Sequence, residues 1–230
     1  MSRVTICIPV RNRPAYLVDA VDSVLAQTFR DWELVIVDDA SDDGLTGIMA
    51  RQLAKTDPRV FTAEQGEQCG PGPARNHGFF RSKSEFLLPL DSDDMLEPTF
   101  LEETLAAIGD ADVCFTDYRQ FGQMDDVVKM GPWDDTLYER NTVPCCSLIR
   151  QSAFEDVGGY DDSIPWIEDY DLWRMLYASG CTAVHVPLPL LKYRRHAEQW
   201  TAAQPGRADS ERRLRAKWAA GPEQYVRGDA

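Results

Sequence analysis

Positive charge is scarce in this sequence. Its 230 residues carry 24 Lys and Arg against 38 Asp and Glu, a formal net charge of −14. So acidic a chain is a poor partner for nucleic acid or an anionic membrane surface, because phosphate backbones and headgroups are held by Lys and Arg. A phosphate-bearing ligand would need local help from a cation, which favours a metal site over a basic groove. Long apolar runs are missing too. No stretch approaches the about 20 apolar residues of a membrane-spanning helix, so no transmembrane segment is expected. The start, Met1-Ser2-Arg3-Val4, runs straight into a strand and leaves no room for a targeting segment. The six cysteines, at 7, 69, 114, 145, 146 and 181, form no C-x-x-C pair and no zinc spacing. They read as reduced thiols of a cytoplasmic protein. A glycine-rich loop is absent where a dinucleotide fold needs one, because the first strand runs into Pro9-Val10-Arg11-Asn12-Arg13-Pro14. The cluster Gly70-Pro71-Gly72-Pro73 lies far downstream and is broken by prolines, which argues against nicotinamide chemistry.

What is present is an alternation of strands and helices. Val4 to Val10 and Leu34 to Val37 are nearly continuous apolar runs, and Glu85 to Leu90 is a third strand. Helices are expected from Pro14, near Thr46 to Lys55, near Ala74 to Arg81, and from Pro98 to Ile108, with a short strand near Val60. Buried strands separated by amphipathic helices imply a mostly parallel central sheet flanked by helices. After Val113 the pattern loosens into shorter strands and loops, with one clear helix from about Tyr170 to Ala178. No internal repeat or linker splits the chain, and the length suits one large α/β domain. Arg207 to Ala219 reads as a helical or frayed tail.

The most informative stretch is Asp91-Ser92-Asp93-Asp94, directly after the third buried strand. It puts hard oxygen ligands at the carboxyl end of a strand, where open α/β sheets bind ligands. Two such carboxylates can share Mg²⁺ or Mn²⁺, whose other positions go to phosphate oxygens and water. The alternative is a solvated turn before the helix at Pro98.

Further segments stand at the other strand ends: Ile8-Pro9-Val10-Arg11-Asn12, Val37-Asp38-Asp39-Ala40-Ser41-Asp42-Asp43 and Gly72-Pro73-Ala74-Arg75-Asn76-His77-Gly78. With Leu90-Asp91-Ser92-Asp93-Asp94 they resemble, in order, the donor-site motifs of family 2 glycosyltransferases of the GT-A fold. Phe154 to Asp161 and Glu168-Asp169-Tyr170-Asp171-Leu172-Trp173 resemble that family's acceptor-side segment and Glu-Asp motif. The resemblance covers residues 4 to about 196. It implies a GT-A-like single domain over 1–200, with a nucleotide-sugar half to about 115, an acceptor half over 116–200, and a polar tail over 201–230.

The resemblance also implies roles. Asp39 would accept the N–H of a uracil-like base, with Pro9 and Arg11 lining the same pocket. Asp91 would touch the donor ribose and Asp93 would hold the metal, Mn²⁺ or Mg²⁺. Asp169 would be the base for the acceptor hydroxyl, with Trp166 and Glu168 contacting the acceptor. His196 sits in a Tyr-Arg-x-His setting that the family often places near the donor phosphates, as a metal ligand or a phosphate partner. Direct displacement with one base implies inversion. The expected partners are a nucleotide-sugar donor, a UDP-sugar first, and a carbohydrate or other hydroxyl acceptor. Several positions keep a second reading from chemistry alone. Asp42 and Asp43 suit a capped turn, Asp94 loop structure, and Asp171 a favourable first-turn acid. Arg75 suits either a phosphate at a helix start or the surface. His77 reads as surface or packing, and His196 reads equally as the start of a solvent-facing tail. Trp133, Trp166 and Trp173 are candidates for stacking on sugars, with Trp173 assigned to the core. Cys145 and Cys146 read as packing. A non-catalytic sugar-nucleotide-binding module, or a nucleotidyltransferase of related architecture, are the alternatives.

Overall fold

The computed structural model describes residues 2–196 and 206–222. The strands are β1 (Val4–Val10), β2 (Trp32–Asp38), β3 (Val60–Glu64), β4 (Phe86–Pro89), β5 (Met95–Leu96), β6 (Val113–Gly122), β7 (Val127–Val128), β8 (Leu148–Arg150) and β9 (Ala183–Arg195). The helices are α1 (Pro14–Leu25), α2 (Thr46–Leu53), α3 (Pro71–Phe79), α4 (Phe100–Ala107), α5 (Gln151–Asp156), α6 (Glu168–Ala178) and α7 (Arg207–Lys217). Prolines sit in the first turns of α1 and α3, where a missing N–H costs nothing. Helix α3 therefore begins three residues before the expected Ala74.

All strands belong to one sheet, ordered β3-β2-β1-β4-β8-β6-β9-β5, with β7 paired to β6. β1, β2, β3 and β4 are mutually parallel, and β6 and β9 run with them because β8 is antiparallel to both β4 and β6. Side chains alternate across β1. Val4, Ile6, Ile8 and Val10 enter one core with α1 and α4, while Cys7 enters a second core with Ala74 and Phe79 of α3 and Leu172 and Trp173 of α6. Trp173 is a core residue, as expected. Helix α3 packs so close to β1 that a Cβ on Gly78 would stand 2.6 Å from the Cys7 sulfur.

The second half departs from expectation in one respect. Irregular segments are there, but between them run the two longest strands, β6 and β9, of 10 and 13 residues. Pro187 and Pro189 interrupt the apolar pattern of β9, and the β6–β9 register shifts around Asp117, which pairs with Pro189. A bulge accommodates a residue that cannot donate to the ladder.

Because β2, β1 and β4 are neighbours running the same way, Asp38-Asp39, Val10-Arg11 and Leu90-Asp91 emerge together along one edge of the sheet. Helix α6 brings its first turn to the opposite side of the same opening.

Candidate active site

That opening is a cleft of about 600 Å³. Pro9, Arg11, Asp39, Asp91 and Asp93 line its sheet side; Trp166, Glu168 and Asp169 line the other, with Arg75 between. Three non-glycine residues with positive φ stand at its edge: Asn12 (53°), Ala40 (52°) and Trp166 (75°). Such backbone cost is tolerated where the surrounding structure fixes it, and it collects at functional sites.

On the sheet side, Asp39 is buried and oriented by the chain that follows β3. Its two carboxylate oxygens accept the backbone N–H groups of Cys69 (2.7 Å) and Gly70 (2.9 Å). Arg11 braces the same corner, donating to the carbonyls of Asp39 and Ala40 and to the Asp42 carboxylate. Asp43 caps α2 through the N–H groups of Leu45 and Thr46, both at 2.9 Å. These bonds to its charged form lower its pKa, the Thr46 N–H most. The capping reading accounts for the contacts of Asp43, whereas the Asp42 carboxylate takes the side chains of Arg11 and Asn12 instead.

Asp91, Asp93 and Asp94 converge, each offering one carboxylate oxygen within 4.8 Å of the others. Burial first, then repulsion from Asp93 and Asp91, pushes the pKa of Asp94 well up. Acceptor-only oxygens crowded in this way fit a divalent cation of the Mg²⁺ or Mn²⁺ kind. Asp94 also accepts the Arg194 N–H at 2.8 Å, consistent with its loop role. Asp93 Oδ2 is met by the Arg13 guanidinium and by His196 Nε2 at 2.9 Å. The His196 ring lies 4.8 Å from that of Tyr16 and is nearly buried, which overturns the solvent-facing reading. Beyond His196, residues 197–205 lie outside the described residues.

Arg75 joins the two sides. It is 2% exposed, so the surface alternative fails. Its guanidinium donates to Asp91 Oδ1 and, at 2.7 Å, to Glu168 Oε1. Burial opposes its charge, but the acid groups around it hold its pKa above the ordinary value. Paired buried charges of this sort are strongly sensitive to loss of one partner.

Asp169, in the first turn of α6, is partly open to the cleft and accepts from Asn141 Nδ2 at 3.1 Å. Its pKa is pushed up to about 7, by burial and then by the neighbouring Glu168 charge. A carboxylate so tuned is a competent base near neutral pH. Asp171 stands in the first turn of α6, as read from sequence, and it has a further role there. It is fully buried and takes Lys217 Nζ at 2.6 Å and the Trp218 indole N–H at 2.9 Å, and Lys217 also reaches Asp161 at 2.7 Å. Helix α7 is thereby docked on α6, with Ser210, Leu214 and Trp218 buried beneath it.

Sequence reasoning missed Arg13 and Asn141. Arg13 directly follows the strand-end motif Ile8-Pro9-Val10-Arg11-Asn12, so its charge is a usable signal; Asn141 sits in an irregular segment with no pattern around it. No disulfide joins any two of the six cysteines; Cys146 is buried in the core and Cys145 lines the cleft.

A family model described as glycosyl transferase family 2 matches residues 5–158. The putative teichuronic acid biosynthesis glycosyltransferase TuaG of Bacillus subtilis is 30% identical over 200 residues, covering 83% of this chain and 78% of that protein. The first curated relatives matched are longer, and this chain spans 20% to 35% of their length. Among solved structures, S. aureus TarS 1-349 in complex with UDP-GlcNAc superposes with a TM-score of 0.79 at 17% identity, over 96% of this chain and 67% of that one. The mannosyltransferase PcManGT from Pyrobaculum calidifontis, in complex with GDP-Man and Mn²⁺, gives 0.70 at 20% identity, over 99% and 65%. These likenesses show a GT-A-like fold.

Proposed function

The chain belongs to glycosyl transferase family 2, and we propose that it is an inverting, metal-dependent glycosyltransferase. In this reading it moves a sugar from a nucleotide diphosphate, a UDP-sugar first, to a hydroxyl acceptor in glycan or polysaccharide synthesis. One observation carries the reading: three converging carboxylates and a carboxyl with a pKa near 7 face each other across one cleft, joined by a buried arginine. The UDP-GlcNAc and GDP-Man in the two superposed structures support a nucleotide-sugar donor, and the Mn²⁺ supports a metal.

Asp39, fixed by two backbone N–H groups, keeps lone pairs to accept a uracil N–H. Pro9 and Arg11 shape the pocket for the base. Arg75 orients Asp91 toward the ribose and adds positive charge beneath the diphosphate. Asp93, with Asp91, Asp94 and His196 around it, would hold the cation. Bound there, Mn²⁺ or Mg²⁺ supplies charge stabilisation for the departing diphosphate. Trp166 and Glu168 line the acceptor side. The acceptor oxygen attacks the anomeric carbon as the bond to the diphosphate oxygen breaks. The hydroxyl proton passes to Asp169, and the nucleoside diphosphate leaves with the bonding pair. Attack opposite the leaving group inverts the carbon.

Thermal shift against a panel of nucleotide sugars, with and without Mn²⁺, tests the donor class. A UDP-sugar should stabilise the protein most, and only with metal. The stabilising donor should then be hydrolysed slowly by water, which a bare binding module would not do.

A further inference from the structure

Trp133 and His185 take no part in the cleft, yet they line a second pocket beside it. Its walls are Met130 to Trp133, Phe115 of β6, and Ala183 and His185 of β9. Met130 lines both pockets. The shared wall is also bonded to the acceptor side of the cleft. The Gly131 N–H donates to the Thr142 carbonyl and Thr142 Oγ1 donates to the Pro132 carbonyl, both at 2.7 Å, and the adjacent Asn141 donates to Asp169. The second pocket therefore continues the acceptor side and not the donor side.

Its lining combines flat rings with fixed polar atoms. The His185 ring is stacked on Phe115, 4.9 Å between centroids and 13° between planes, so one face is covered and its side chain keeps 32% exposure. Trp133 is held by its indole N–H on the Cys181 carbonyl at 3.0 Å and by an edge contact with Tyr177. Asp117, almost fully buried, accepts the Met130 N–H at 2.9 Å and meets His185 Nε2 at 2.8 Å. The contact with Asp117 anchors the ring through Nε2 and leaves Nδ1 as its other polar atom. Nδ1 lies beside Gly131, 3.9 Å from where a Cβ on that residue would stand. Two rigid rings beside an oriented imidazole nitrogen match a pyranose, which offers an apolar C–H face and, at its rim, hydroxyls that both donate and accept.

We propose that this pocket is an acceptor subsite holding a saccharide unit away from the hydroxyl that is glycosylated. The acceptor is then an oligosaccharide or longer glycan, not a small free alcohol. This rests on the transferase reading. The test uses the full chain, Trp133→Ala and His185→Ala, titrated with cellotetraose, chitotetraose and maltotetraose and with the matching monosaccharides, followed by saturation-transfer NMR and tryptophan fluorescence. At least one tetrasaccharide should bind more tightly than its monosaccharide, and each variant should weaken it about three- to tenfold. His185 is exposed, so its variant carries the result if Trp133→Ala fails to fold, and UDP affinity in Mn²⁺ reports the fold of each. Binding of none of the three tetrasaccharides, or binding indifferent to His185→Ala, overturns the subsite. A wild-type protein that binds no nucleotide sugar would instead overturn the transferase reading.

Discussion

The two sides of the cleft are built by different means. The donor side is made of strand ends: Arg11, Asp39 and Asp91 follow adjacent parallel strands, and the register of β2, β1 and β4 brings them together. The acceptor side is made of side-chain pairs between distant segments. Glu168 is held by Arg75, Asp169 by Asn141, and Asp171 by Lys217. A side built on backbone register should tolerate loss of single side chains in its fold and lose only ligand contacts. A side built on pairs should be sensitive to each partner. Substitutions ought to separate accordingly.

The largest separation is expected at Asp169. Asp169→Asn keeps the shape and the Asn141 contact region but cannot take a proton. Turnover should fall by about 10²–10⁴-fold, while UDP affinity measured by calorimetry stays near wild type. A modest loss of turnover would assign the base elsewhere.

Next comes Lys217, remote from the donor. Lys217→Met leaves the Asp171 charge buried without its cation, a change that costs about 3 kcal/mol, or roughly 6–12 °C in Tm for a domain of this size. Asp171→Asn combined with Lys217→Met should recover part of that loss, because no charge is then left unpaired. Equal melting temperatures for Lys217→Met and wild type would mean that α7 does not brace α6.

On the donor side, Asp93→Ala loses the Arg13 and His196 contacts but relieves the repulsion of Asp94, so the melting temperature without ligand should change little, while the Mn²⁺-dependent gain in UDP affinity should fall at least about tenfold. Equal UDP affinity in EDTA and in Mn²⁺ for the wild type would contradict the metal site itself. The smallest effect is at Asp43. Asp43→Ala removes the α2 cap and should cost about 1 kcal/mol in chemical denaturation, with no change in UDP affinity.

The same contrast explains what could be read from the sequence. Continuous apolar runs, proline at helix starts and carboxylates at strand ends are local signals, and they located β1, β2, β4, α1 and the donor-side residues. Asp39, Asp91 and Asp93 lie in the cleft for that reason. The Arg13–Asp93 and Lys217–Asp171 pairs span 80 and 46 residues and leave no local trace. Helix α7 buries Ser210, Leu214 and Trp218 at every fourth position, too sparse an apolar stripe to distinguish it from a frayed tail. The first half of strand β9 is hidden by Pro187 and Pro189, whereas Leu190 to Arg195 reads as strand-like.

The central claim is that Asp169 takes the proton, and the pH dependence of kcat/KM tests it most directly because that ratio reports the free enzyme. Burial and the Glu168 charge raise the Asp169 pKa to about 7, so the base form is scarce in acid and accumulates as pH rises. The rate should climb about tenfold per pH unit below a limb near pH 7 and level off above it. In Glu168→Gln, where the repelling charge is gone, the limb should move to lower pH, and in Asp169→Asn it should vanish. A limb near pH 7 that persists in Asp169→Asn, or a wild-type profile flat between about pH 5 and 8, would contradict the assignment.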